Sequence, residues 1–124
     1  MAASTQSRDI LVVEDSRVVR DMLAHIIQDE GYRVTGCSHA MEALDHLHRS
    51  PPPRLILLDL VLPYMQSSEF LQELQRDPRL ADIPVVIISS YAYDEPQPLA
   101  HTVAYLEKPL DLEQLMGIVR QYCG

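Results

Sequence analysis

The chain has 124 residues, 47% apolar and 23% charged, with a net charge of −8, which suits one domain whose core needs no disulfide or metal staples. Its 18 acidic residues against 10 basic ones repel a phosphate backbone instead of releasing its counterions, so nucleic-acid binding is not expected. Cys37 and Cys123 show no paired spacing, residues 1–7 lack the apolar centre of a signal sequence, and no later apolar run nears the roughly 18 residues of a membrane span. A reduced cytoplasmic protein without membrane insertion is therefore expected.

A polar arm over residues 1–8 leads into a single domain over residues 9–124. Ile10-Leu11-Val12-Val13 is an all-apolar run, β-branched at three of four positions, as expected of a strand buried on both faces of a parallel sheet. From Arg17 to Glu30, Val18, Val19, Met22, Leu23, Ile26 and Ile27 fall at helical spacing, and Gly31 supplies a C-terminal stop. Tyr32 to Cys37 reads as a second strand. Ser38 is placed to cap a helix to about Arg49 with Met41, Leu44 and Leu47 as its apolar stripe, ended by Pro51-Pro52-Pro53. Leu55-Ile56-Leu57-Leu58 is a third buried strand closed by Asp59, and Ser67 or Ser68 opens a helix carrying Phe70, Leu71 and Leu74. Pro84 precedes a fourth strand over residues 85–88, and Val103 to Leu106 forms a short fifth before Lys108-Pro109. Asp111 caps the last helix, with Gln114 at the capping-box position before Leu115, Met116 and Val119. Five β units alternating with four clear helices specify an α/β fold with a central parallel sheet and right-handed crossovers.

Open parallel sheets bind ligands beyond the carboxyl ends of their strands. Those positions hold Glu14 and Asp15 after strand one, Asp59 after strand three, Ser89 and Ser90 after strand four, and Lys108 after strand five. If strands one and three are neighbours, about 4.8 Å apart, Asp15 and Asp59 can share a cation. Clustered carboxylates must raise their pKa values, recruit a cation or sit in water; a hard ion such as Mg²⁺ accepts a few carboxylates together with water and phosphate oxygens. Asp59 would then be a nucleophile toward phosphorus, with the metal and Lys108 offsetting the charge of the transferring group and Ser89 donating a hydrogen bond to it.

Val-Val-Glu-Asp-Ser at 12–16, Leu-Leu-Asp at 57–59, Ile-Ser-Ser at 88–90 and Lys-Pro at 108–109, in that order, resemble the signature of the receiver (CheY-like) domain of two-component response regulators. Ser89 follows Asp59 by 30 residues, and Pro63 follows it by 4, spacings similar to that family's. The resemblance covers residues 9–122. It implies a flavodoxin-like, doubly wound, five-stranded sheet in the order 2-1-3-4-5, with strands one and three side by side. It also implies a phosphorelay in which Asp59 takes a phosphoryl group from a histidine kinase or phosphotransfer protein. Asp15 and Asp59 would ligate Mg²⁺ directly, Glu14 through water, and the backbone carbonyl of Val61 would complete the protein ligands. Ser89 would move toward the phosphoryl group, Tyr105 would be an aromatic switch, and Lys108 would pair with a phosphoryl oxygen. The Lys108–Pro109 bond is expected to be cis, as such bonds are almost confined to X-Pro. Chemistry on an external substrate is not expected. The phosphoprotein would load itself from a donor, hydrolyse slowly, and signal through contacts with a downstream protein or within a longer regulator or hybrid kinase.

Ser89 and Lys108 are 19 residues apart, a few fewer than is usual in that family. The interval includes Pro96 and Pro98, and proline inside a helix costs about 3 kcal/mol. A short or irregular fourth helix is therefore expected between Asp94 and Thr102. That departure supports an alternative, a pseudo-receiver that binds proteins constitutively without a phosphoswitch. Gln66-Ser67 replaces the family's frequent Asp-Gly, and Ala40 stands where glycine is common. Val61 and Tyr91 put bulk two residues beyond Asp59 and Ser89, which predicts a long-lived phosphoaspartate. Val61 also argues against an aspartate-nucleophile phosphatase, which needs a second aspartate there. No Ser/Thr/Gly-rich loop follows strand one to hold a flavin phosphate. His46 and His48, two apart on a helix, point to different faces and do not form a metal pair.

Overall fold

The structure, a computed structural model, describes residues 9–59, 67–89, 102–107 and 110–123. Its elements are β1 (Asp9–Val13), α1 (Arg17–Asp29), β2 (Arg33–Cys37), α2 (Ala40–Arg49), β3 (Leu55–Asp59), α3 (Ser67–Arg76), β4 (Val85–Ser89), β5 (Thr102–Glu107) and α4 (Leu112–Cys123). The strands form one parallel sheet in the order β2-β1-β3-β4-β5, the order implied by the sequence resemblance. The helix expected between β4 and β5 falls on residues outside the described set, except that Thr102 begins β5.

The period-two geometry of the strands divides the core between the two faces of the sheet. Leu11, Val13, Ile56, Leu58, Val85 and Ile87 pack with Leu44 and Leu47 of α2 and with Phe70, Leu71 and Leu74 of α3. Ile10, Val12, Leu55, Leu57, Val86 and Ile88 face the other way, against Leu23 and Ile27 of α1 and Leu115, Met116 and Val119 of α4. Residues 10–13 and 55–58 are all buried, which accounts for their continuous apolar runs instead of an alternating pattern.

Local chemistry sets the helix limits. Ser16 caps α1 by accepting the Val19 amide at 3.3 Å, and the helix stops at Gly31, whose φ of 96° suits glycine. Within α1 only Leu23 and Ile27 are fully buried, while Val18 (78% exposed) and Met22 (42%) face outward. Six apolar residues make a stripe wider than the sheet covers. Met41 of α2 is likewise exposed.

The cap of α2 differs from the expectation. His39, not Ser38, is the N-cap, its Nδ1 accepting the Glu42 amide at 3.2 Å. Ser38 instead donates its amide and hydroxyl to Glu42 Oε1, at 2.8 and 3.0 Å. The pair works as a capping box displaced by one residue, because His39 already has the extended backbone that a cap requires. Asp111 caps α4 as expected, accepting the amides of Glu113 and Gln114 at 3.0 and 3.2 Å.

Candidate functional site

Strand register brings the predicted acidic residues together. Val13 pairs with Leu58 of β3, so Glu14 and Asp15 leave β1 at the level where Asp59 ends β3. Asp59 in turn pairs with Ile88, leaving Ser89 one step further along β4, opposite Glu107 of β5. Four strand ends thus open on one edge of the sheet.

Carboxylate oxygens of Glu14, Asp15 and Asp59 all lie within 4.8 Å of one another. Glu14 is 2% exposed and Asp59 7%, whereas Asp15 faces solvent. Two full charges at 4.8 Å repel by on the order of 3 kcal/mol at an effective dielectric of about 20, so the site favours a counter-charge, either a proton or a cation. The donors are oxygen alone, with neither imidazole nor thiolate, which suits a hard divalent ion and not zinc or copper. The residues present therefore fit Mg²⁺ in kind, with one open, wet side at Asp15 where further oxygens could enter.

Glu14 is fixed from several directions. Its amide donates to the Cys37 carbonyl at 3.0 Å, extending the β1–β2 ladder by one step. Its Oε2 accepts the Ser16 amide at 3.1 Å, and its carbonyl accepts Arg20 Nη1 at 2.9 Å. The acidic turn is thereby tied both to the start of α1 and to β2.

Of the other expected site residues, Ser89 has its backbone in β4 while its side chain lies outside the described set. Val61, Tyr91, Lys108 and the Lys108–Pro109 bond also lie outside it. Tyr105 occupies β5 opposite Ile87 and is 38% exposed, two residues after exposed Val103. His46 pairs with Ser50 Oγ at 3.4 Å and His48 is exposed, and neither reaches the acidic site. Residue patterns alone missed Arg20. It sits six positions after Glu14, and nothing in that spacing announces a contact made through the packing of α1 on β2.

Comparison with known proteins agrees with this architecture. The family model of the response regulator receiver domain matches residues 10–120. An uncharacterized 14.6 kDa protein in the sodA1 3′ region of Leptolyngbya boryana is 36% identical over 118 residues, covering 93% of this chain and 89% of that one. The polar-differentiation response regulator DivK of Brucella anthropi is 28% identical, covering 94% and 97%. Among solved structures, a response regulator receiver protein from Pseudomonas putida superposes with a TM-score of 0.84 at 25% identity, covering 93% and 97%. The receiver domain of sensor histidine kinase PA1611 from Pseudomonas aeruginosa, solved with a magnesium ion coordinated in its active site cleft, shares the fold with a TM-score of 0.84 at 24% identity, covering 95% and 98%.

Proposed function

Because the chain belongs to the response regulator receiver domain family, we propose that Asp59 accepts a phosphoryl group from a histidine kinase or phosphotransfer protein in a Mg²⁺-dependent reaction. The observation that carries this reading is the convergence of three carboxylates within 4.8 Å, two of them buried, at the ends of β1 and β3. The magnesium-bound cleft of the similarly folded PA1611 domain supports the choice of ion.

The chemistry is a displacement at phosphorus. A carboxylate oxygen of Asp59 forms the O–P bond while the P–N bond of a phosphohistidine breaks, and the imidazole leaves with the electron pair and recovers a proton from solvent. Bound Mg²⁺ would neutralise charge on the transferring oxygens. Asp15 and Asp59 would hold it directly and Glu14 through water, with the Val61 carbonyl as the remaining protein ligand. Burial of Asp59 limits access of water to the acyl phosphate, while exposed Asp15 leaves an approach for the donor. Val18 and Met22, exposed on α1 beyond the acidic pair, offer the donor protein an apolar strip. Ser89 and Lys108, at the end of β4 and directly after β5 in the sequence, would supply a hydroxyl donor and an ammonium to the phosphoryl oxygens. Output would pass to a downstream protein, with Tyr105 as the aromatic switch.

Incubation with acetyl phosphate and Mg²⁺ tests this. Intact-mass spectrometry should show the gain of one phosphoryl group on the wild type, and no gain on Asp59→Asn or in excess EDTA. An unmodified wild type, or equal modification of Asp59→Asn, would contradict the proposal.

A further inference from the structure

Among the partners that hold Glu14, Arg20 reaches it over a glycine. The Arg20 guanidinium donates to the Glu14 carbonyl at 2.9 Å, which fixes the peptide plane joining Glu14 to Asp15 and hence the direction in which the Asp15 side chain departs. The arginine stem crosses β2 at Gly36, which pairs with Val12 in the ladder. A Cβ built on Gly36 would meet Arg20 Cγ and Cδ at 3.1 Å and Nε at 3.6 Å, closer to the two carbons than side chains ordinarily pack. Glycine is needed here for space: the one described glycine with positive φ is Gly31.

We propose that Gly36 and Arg20 form a lock that positions the Glu14-Asp15 turn for cation binding, Arg20 as the positioning residue and Gly36 as the gap that admits it. This rests on the reading of the acidic cluster as a Mg²⁺ site. A guanidinium on the backbone carbonyl of the acidic turn should, by charge alone, compete with a divalent cation. Its retention is explained by the orientation it gives the Glu14 carbonyl, since partners that orient a metal's ligands commonly change affinity by about 10- to 100-fold.

The lock separates metal affinity from fold stability. Gly36→Ala keeps the charge of Arg20 but displaces its stem, and should weaken Mg²⁺ binding roughly tenfold. The same change should lower the thermal unfolding midpoint of the metal-free protein only slightly, because the gain from alanine in an exposed strand position offsets part of the lost Arg20 hydrogen bond. Arg20→Lys retains a positive charge without the fork that reaches the carbonyl, and should weaken binding similarly. The Gly36→Ala/Arg20→Lys double variant should be little worse than either single one, since both break one contact.

The test is Mg²⁺ titration of the full chain followed by amide NMR shifts, alongside thermal unfolding without metal. If the wild type itself shows no saturable shifts that Asp59→Asn removes, the metal-site reading fails before the lock is addressed. If the wild type binds, and Gly36→Ala and Arg20→Lys bind as tightly, or the two changes add in full, the lock is wrong. Tighter binding by Arg20→Gln would show that only the competing charge of Arg20 matters, and would also overturn it.

Discussion

Asp59 closes a strand whose five residues are all buried, so its carboxylate gains little from bulk water and much from a counter-charge beside it. If the site takes Mg²⁺ as proposed, folding and binding would be linked: at about 100 times the dissociation constant the ion should add about 2.7 kcal/mol to stability. Thermal unfolding with and without Mg²⁺ should show this gain in the wild type and little of it in Asp59→Asn. Cys37 behaves in the opposite sense, as a group kept neutral. Burial, reinforced by the Glu42 carboxylate and opposed by Arg20, pushes its thiol from 9.0 up to about 11. A folded-state pKa above the unfolded one gives stability that is intact below pH 9 and lost as pH rises toward 11, a downward slope that totals up to about 3 kcal/mol. Denaturant melts of Cys37→Ala should lose that slope, and the native wild-type thiol should resist alkylation at neutral pH. The Glu14-Asp15 pair and Asp59 were legible in the sequence because each directly follows an apolar run, whereas Arg20 was not, because its role depends on how α1 crosses β2.

The elements follow the hydrophobic pattern wherever burial decides it and depart where a side chain offers an equivalent bond. Residues 10–13 and 55–58 read as fully buried strands and are so. The start of α2 was misjudged by one residue, since serine is the commoner cap, yet the imidazole of His39 accepts the Glu42 amide and Ser38 serves the Glu42 carboxylate. Those Ser38 bonds hold the Glu42 carboxyl below the usual carboxylate range. His39→Ala should therefore lower stability by about 1 kcal/mol in denaturant unfolding; no measurable loss would show that the Ser38–Glu42 bonds suffice to start the helix. In α1 the periodicity correctly gave a helix but overstated its buried face, because apolar residues at Val18 and Met22 satisfy the spacing without contributing to the core.

Across the whole molecule, the order β2-β1-β3-β4-β5 makes the boundary between β1 and β3 the point where successive crossovers pass to opposite sides, and such a point leaves a crevice at the carboxyl ends of the strands. The two core layers hold those ends rigidly, so the acidic cluster is assembled by the same packing that stabilises the sheet. Fold class and acidic site were both readable from one chain because they share a cause: buried strands show as apolar runs, and chemistry follows their ends. The path from the site to β5 was less legible, since the 19-residue interval between Ser89 and Lys108 carries prolines instead of a helical pattern, and pattern alone cannot say what surface Val103 and Tyr105 present. The most direct measurement of the central claim is chemical mapping of the acyl phosphate: load the protein with a phosphodonor and Mg²⁺, reduce with borohydride, and sequence the peptides by tandem mass spectrometry. Homoserine is expected at position 59; reduction at Glu14 or Asp15 instead, or at no acidic residue, would contradict Asp59 as the phosphoacceptor.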